Sequence, residues 1–200
     1  WVATLWGGKI ELNGAMLFSC GFIINFVLGG ITGVALAQVP FDVHVHDTYF
    51  VVAHFHYIVY GGSVFVIFSS IYHWFPKFTG KMLNENLGRF HFIITFIGFN
   101  LCFAPQHWLG LNGMPRRVAE YDPQFQLINQ ISSVGALLMA LSTLPFLWNI
   151  LQSILYGDEA GDNPWNALTP EWLTTSPPPV ENWEGEAPLV LEPYGYGKKD

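Results

Sequence analysis

The sequence carries little charge for its size. Of its 200 residues, 12% are Asp, Glu, Lys or Arg and 51% are hydrophobic, whereas soluble domains usually carry about 25% charged residues. The few basic residues are scattered and form no run or patch, so nothing in the sequence indicates nucleic-acid binding. The composition therefore favours a membrane protein over a soluble domain.

Cysteine is also scarce. The two cysteines, Cys20 and Cys102, lie in separate apolar runs, and neither has a CxxC or CxxxH spacing. This pattern is typical of small side chains that face lipid or the protein core, and it argues against a disulfide or a cysteine-based metal site.

An initiator Met and a signal peptide are missing as well. The chain opens on Trp1, inside an apolar patch. We therefore expect the C-terminal part of a larger membrane protein, with at least one helix cut off upstream.

Long apolar segments, in contrast, are abundant in the sequence. Four of them reach the roughly 20 residues needed to span a bilayer, at 14–37, 49–75, 87–111 and 128–156. Asn13 and either Asp47 or Thr48 are expected to cap the first two helices, and Pro76 is expected to end the second. The sequence thus predicts an all-α, polytopic transmembrane helix bundle over residues 1–156.

The order of the helices predicts which connectors share a side of the membrane. Connectors 38–47 and 112–127 fall on one side, and 7–13, 76–86 and the tail on the other. The second side has more basic residues near the helix ends, namely Lys9, Lys77, Lys81 and Arg89, against Arg116 and Arg117 on the first. The positive-inside rule therefore places the tail in the cytoplasm.

The tail, residues 157–200, differs sharply from the rest of the chain. It holds nine acidic residues and two lysines, so it accounts for the whole formal net charge of −7. It is also rich in proline. Such a segment is expected either to be disordered or to lie along the protein surface.

Two histidines, His54 and His56, lie within the second apolar segment. Ionisable side chains inside a spanning segment are costly, and they indicate a functional site by default. Each residue of an α-helix turns by about 100°, so two residues that are two positions apart point to opposite sides. The pair is therefore unable to chelate one metal together, but each histidine can bind a separate metal.

Two polar pairs fall on one predicted side, above these histidines. His46 precedes His54 by eight residues, with Asp47 directly after it, and eight residues span about 12 Å along a helix axis. Such a pair can bind Mg²⁺ or Mn²⁺, or form hydrogen bonds at a helix start. Arg116 and Arg117 suit carboxylates or phosphates, including lipid headgroups. Heme has two propionates on one edge, so two opposed histidines below paired arginines suit two hemes.

Residues 1–156 resemble the C-terminal four helices, and the end of the preceding helix, of subunit I of heme–copper cytochrome c oxidases. The matching motifs are VHDTY (45–49), VAHFHY (52–57), HWFP (73–76), PQHWLG (105–110) and GMPRR (113–117). Quinol oxidases of the same superfamily differ at Asp47, Tyr57 and Pro115, so these residues favour the cytochrome c branch. The tail is similar to that of bacterial members, in particular cyanobacterial ones.

The resemblance implies a twelve-helix subunit and unequal roles for the two histidines. His54 would be the proximal ligand of the high-spin heme and the catalytic residue of this part of the chain. His56 would be one axial ligand of the low-spin heme, with Phe55 between them. Both hemes are expected to be of the a type, and the copper B ligands are expected upstream of this sequence.

The resemblance also implies roles for the polar residues above the histidines. His46 and Asp47 would bind Mg²⁺ or Mn²⁺ with a further carboxylate from subunit II. Arg116 and Arg117 would bind heme propionates, and Asp42 would lie near those of the high-spin heme.

The implied reaction is the four-electron reduction of O₂ to water by cytochrome c, coupled to proton translocation. The implied partners are oxidase subunits II and III, cytochrome c and membrane lipid, in a bacterial plasma membrane or a thylakoid membrane. Two alternatives stay open: a quinol oxidase of the same fold, and a heme-free transporter that uses histidine for proton relay.

Overall fold

The computed structural model describes residues 1–183 and 185, and helices dominate this part of the chain. Its α-helices are α1 (Val2–Leu5), α2 (Gly14–Leu36), α3 (Val39–Val45), α4 (Tyr49–Val59), α5 (Phe65–Thr79), α6 (Glu85–Leu111) and α7 (Gln126–Tyr156). Among the described residues, β-structure is limited to two isolated bridges. The predicted all-α fold is confirmed.

Four helical segments are long and apolar enough to cross a membrane: Gly14–Leu36, Tyr49–Thr79, Glu85–Leu111 and Pro123–Tyr156. The first two begin at the predicted residues because their caps form as expected. The side chain of Asn13 accepts a hydrogen bond from the Met16 N–H at 2.9 Å. Thr48, rather than Asp47, caps α4 and accepts from the Phe50 N–H at 3.2 Å.

The second segment departs from the prediction in two ways. A π-helical turn, Tyr60–Val64, joins α4 to α5. Pro76, expected to end the helix, lies inside α5. A proline lacks the N–H for the hydrogen bond to the carbonyl four residues earlier, and its ring crowds that carbonyl, but the residues after it can still continue the helix; Pro105 and Pro145 likewise lie inside α6 and α7. Helix α5 ends where Gly80 adopts a φ of +71° and its N–H donates to the Pro76 carbonyl at 2.8 Å.

Small residues allow α6 and α7 to pack very closely. A Cβ added at Gly135 would collide with the backbone of Cys102, and one added at Gly98 would lie 2.9 Å from the Met139 backbone nitrogen. Ser132 adds a hydrogen bond between the helices, from its hydroxyl to the Cys102 carbonyl at 2.7 Å. Close approach and interhelical hydrogen bonds of this kind stabilise helix pairs in membranes.

Buried aromatic side chains form the core between the other helices. Phe18 of α2, Tyr57 of α4, Phe65 of α5 and Phe99 of α6 are all at most 2% exposed. Their rings meet edge to face, as in the Phe18–Phe65 pair, whose centroids are 5.6 Å apart. This cluster fixes α4 between α2 and α6.

The connectors meet at the two ends of the bundle as the helix order predicts. At one end the Arg116 N–H donates to the Asp47 carbonyl at 2.9 Å. At the other end the first residues of α2 and α6, just after their connectors, are joined: the Gly14 N–H donates to the Glu85 carboxylate at 2.8 Å. The residues predicted to lie above the histidines are therefore on one end of the molecule.

The described part of the tail lies along the second end of the bundle. Lys77, in the last turn of α5, is 5% exposed. Its ammonium donates to three tail carbonyl oxygens, those of Asp162 at 3.0 Å, Thr174 at 2.8 Å and Thr175 at 3.3 Å. The remainder of the predicted acidic tail, residues 184 and 186–200, lies outside the described residues.

Candidate functional site

His54 projects from α4 toward α2. Its Nδ1 lies 3.0 Å from the Gly29 carbonyl oxygen and 3.0 Å from Thr32 Oγ1. The ring also lies against Gly33, where an added Cβ would come within 2.8 Å of His54 Cε1. Within the described residues no hydrogen bond reaches Nε2 of His54. This nitrogen is therefore available to bind a metal.

His56 faces α6 instead. Its Nδ1 donates to the Val52 carbonyl at 2.8 Å, and its ring stacks on Phe103 with a centroid distance of 4.1 Å and an angle of 14°. Its Nε2 likewise has no hydrogen bond to any described residue. Phe55, between the two histidines, is 38% exposed. The imidazoles therefore contact different helices, as the helical turn predicts.

Both histidines have the arrangement common among metal ligands in proteins. One ring nitrogen donates to a backbone carbonyl, which fixes the tautomer and the ring orientation, and the other nitrogen keeps its lone pair. The residues present therefore fit one iron at His54 and a second at His56. The contacts of His54 with Gly29, Thr32 and Gly33 were not predicted from the sequence. Their spacing places them on one face of α2, but it does not show which helix packs there.

An ion pair lies at the end of the bundle where α4 begins. Arg116 Nε donates to Asp47 Oδ1 at 2.8 Å, and the two side chains are 24% and 70% exposed. At such exposure the pair contributes about 0–1 kcal/mol to stability. Asp47 and Arg117 have φ values of +56° and +64°. The structure thus brings together the residues predicted for metal and propionate binding, through a direct contact that the sequence did not indicate.

His46 lies beside this ion pair, at the end of α3. Its Nδ1 donates to the Asp42 carbonyl at 2.9 Å, which leaves Nε2 available. Among the described residues, no three His, Cys, Asp or Glu side chains are placed to hold one metal ion together. His46 and Asp47 can therefore supply only part of a metal shell. Arg117 is exposed and, in the described part of the chain, forms no ion pair.

Three other histidines pack in aromatic surroundings. His91 is fully buried, and its Nδ1 lies 3.1 Å from the Tyr72 hydroxyl. His73 stacks on Trp165 of the tail at a centroid distance of 5.8 Å. His107 lies against Phe50 at 5.0 Å. These contacts give the three residues packing roles.

Comparison with known proteins identifies close relatives. The family model for cytochrome c and quinol oxidase polypeptide I matches residues 1–138. Cytochrome c oxidase subunit 1 of Synechocystis sp. and that of Thermostichus vulcanus are each 59% identical over 197 residues, covering 98% of this chain and 36% of the relative. A probable cytochrome c oxidase subunit 1-beta of Nocardia farcinica is 50% identical over 187 residues, covering 92% of this chain and 32% of the relative. The chain therefore spans about a third of the length of these curated relatives.

A solved structure shows the same fold. A chain of a heme-copper terminal oxidase dimer, determined by cryo-EM, aligns with a TM-score of 0.64 at 22% sequence identity. The alignment covers 72% of this chain and 27% of that one. The resemblance inferred from the motifs is therefore confirmed by sequence and by fold. This chain belongs to the cytochrome c and quinol oxidase polypeptide I family.

Proposed function

We propose that this chain is the C-terminal part of the catalytic subunit of a cytochrome c oxidase, and that it supplies ligands to two hemes. One observation carries the proposal. His54 and His56 lie two residues apart on α4 and contact different helices. In each, Nδ1 donates a hydrogen bond to a backbone carbonyl, and Nε2 is available to bind a metal. His54 would hold the high-spin heme and His56 the low-spin heme. When bound, the hemes supply the electron-transfer and oxygen chemistry.

The residues around each imidazole hold it in place for this role. The Gly29 carbonyl accepts from His54, and the Val52 carbonyl accepts from His56, so both Nε2 atoms keep the lone pair that iron requires. Phe55 connects the two histidines through a short stretch of backbone. This stretch gives a direct covalent path between the residues that hold the two hemes.

The polar end of the bundle would hold the remaining groups. Arg116 and Arg117 would neutralise heme propionates, because guanidinium groups bind carboxylates bidentately. Asp42 would lie near the propionates of the high-spin heme. His46 and Asp47 would bind Mg²⁺ or Mn²⁺, with the other ligands from water and a carboxylate of subunit II. The partial shell described above supports a site that is completed from outside this chain.

The full-length enzyme would reduce O₂ to water with electrons from cytochrome c and couple this to proton translocation. The copper B ligands and the second axial histidine of the low-spin heme would come from the rest of the subunit, and subunits II and III would complete the complex. Its location would be a plasma membrane or a thylakoid membrane. Lysine and arginine are in excess near the helix ends on the side of the bundle where the tail lies, which supports a cytoplasmic tail.

The test is to purify the full-length complex, record its pyridine hemochrome spectrum and measure oxidation of reduced cytochrome c. We expect two hemes per catalytic subunit and oxidation of cytochrome c. Oxidation of membrane quinol without oxidation of cytochrome c would instead show a quinol oxidase. A complex without heme would contradict the proposal and favour a transporter.

A further inference from the structure

Thr32 forms a closed triangle of polar atoms with the candidate proximal histidine. Its Oγ1 lies 2.8 Å from the Gly29 carbonyl oxygen and 3.0 Å from His54 Nδ1. The third side, from His54 Nδ1 to the Gly29 oxygen, is 3.0 Å. Two protons are available for these three contacts: one on the threonine hydroxyl and one on the imidazole.

The partners determine where the two protons lie. The Gly29 carbonyl only accepts, and its two lone pairs can take a proton from each neighbour. The Thr32 hydroxyl therefore donates to Gly29, and its oxygen keeps lone pairs that face His54. The Nδ1–H of His54 is then shared between two acceptors. With the proton on Nε2 instead, the Nδ1 lone pair would face the carbonyl oxygen without a hydrogen bond.

A second acceptor also limits rotation of the ring. With Gly29 alone, the imidazole could turn about a single hydrogen bond. The Thr32 oxygen holds the same N–H from another direction, and Gly33 borders the ring at Cε1. Residues 29, 32 and 33 of α2 therefore define both the position and the tilt of the ring.

We propose that Thr32 is a positioning residue for His54, which it holds in the Nδ1–H tautomer and makes a stronger ligand through Nε2. Hydrogen bonds to the outer N–H of a metal-bound histidine raise its basicity. The inference rests on the proposed function, because it assumes that His54 binds the high-spin heme.

The test compares three variants of the full-length oxidase complex. Thr32→Val removes the hydroxyl at nearly constant shape, and Thr32→Ser keeps it. Thr143→Val is the matched control: Thr143 makes the same hydroxyl bond to the carbonyl three residues earlier, at 2.7 Å to Ala140, but on an exposed face of α7. The readouts are the iron–histidine stretching band in the resonance Raman spectrum of the reduced enzyme and the rate of heme loss.

Thr32→Val should shift this band to lower frequency and release the high-spin heme on the order of tenfold faster, at the lower end of the roughly 10–100-fold loss of metal affinity that follows removal of such a partner. Thr32→Ser and Thr143→Val should match the wild type. Complete loss of the high-spin heme from Thr32→Val alone would also support the proposal. An unchanged band in Thr32→Val, or equal changes in Thr32→Val and Thr32→Ser, would overturn it.

A failure of the proposed function gives a different result. The iron–histidine band would then be absent from the wild type, or it would persist in His54→Ala. In that case His54 is not the heme ligand, and Thr32 does not position a heme ligand either.

Discussion

The buried Lys77 ammonium should control whether the tail stays on the bundle. Lys77→Met keeps the length of the side chain and removes all three hydrogen bonds to the tail carbonyls. A hydrogen bond from a charged donor contributes about 1.5–3 kcal/mol. The three bonds share one ammonium whose desolvation opposes them, so we expect a net loss of about 2 kcal/mol. Because about 1.4 kcal/mol corresponds to a tenfold change in an equilibrium constant, the population of the open tail should rise roughly 30-fold.

Limited digestion of the full-length complex by chymotrypsin measures this population. The reporter is cleavage after Trp172, which is 2% exposed and whose ring centroid lies 4.9 Å from Lys77 Nζ. The rate should rise roughly 30-fold in Lys77→Met if the tail opens and closes rapidly compared with cleavage. Lys81→Met is the matched control, because the Lys81 side chain makes no hydrogen bond within the described residues. Equal cleavage rates in wild type and Lys77→Met would show that Lys77 does not hold the tail on the bundle.

Three further predictions concern packing and metal binding. Gly135→Ala should lower the thermal midpoint of the complex, because the new Cβ collides with the α6 backbone. Gly30→Ala should leave it unchanged, since no atom of the described residues lies within 4 Å of the added Cβ. Asn149→Leu should destabilise the complex by about 2–4 kcal/mol in denaturant unfolding. It removes two hydrogen bonds, of 2.9 and 3.0 Å, to the backbone of Asn84, the residue that caps α6. An unchanged free energy of unfolding would contradict this prediction. Asp47→Asn should abolish the Mn²⁺ signal in electron paramagnetic resonance of the manganese-grown complex, and Asp122→Asn at the same end should keep it.

The bundle could be predicted largely because its signals are local. The length of each apolar run set the spans, and Asn13 and Thr48 cap helices as their side chains suggest. The prediction that Pro76 ends the second helix was wrong, because a proline costs one backbone hydrogen bond and crowds one carbonyl without stopping the residues after it from being helical; Pro105 and Pro145 also lie inside helices. The end of α5 is set four residues after Pro76 by Gly80. The π-helical turn at Tyr60–Val64 has no comparable local signal in the sequence.

The candidate site could be predicted only in part for a similar reason. The opposed directions of His54 and His56 follow from the helical turn alone. Their partners do not, because contacts with α2 and α6 depend on how each helix is rotated in the bundle. The Asp47–Arg116 ion pair joins residues 69 positions apart. Such long-range pairing depends on the folded arrangement of the connectors.

Lys77 shows the same limit at the other end of the molecule. By position it is one of four basic residues that indicate the cytoplasmic side. In the structure it is nearly buried under a tail segment 85–98 positions away. The acidic composition of the tail left open whether it was disordered or lay on the surface. The contacts with Lys77 show that its described part lies on the surface.

Optical spectra of two variants test whether His54 and His56 hold different hemes. His54→Ala and His56→Ala are prepared in the full-length complex, and the reduced spectra are recorded with and without CO. His54→Ala should lose CO binding at the high-spin heme and retain the low-spin spectrum. His56→Ala should lose the low-spin spectrum. Normal low-spin and CO-difference spectra in either variant would show that the substituted histidine holds neither heme.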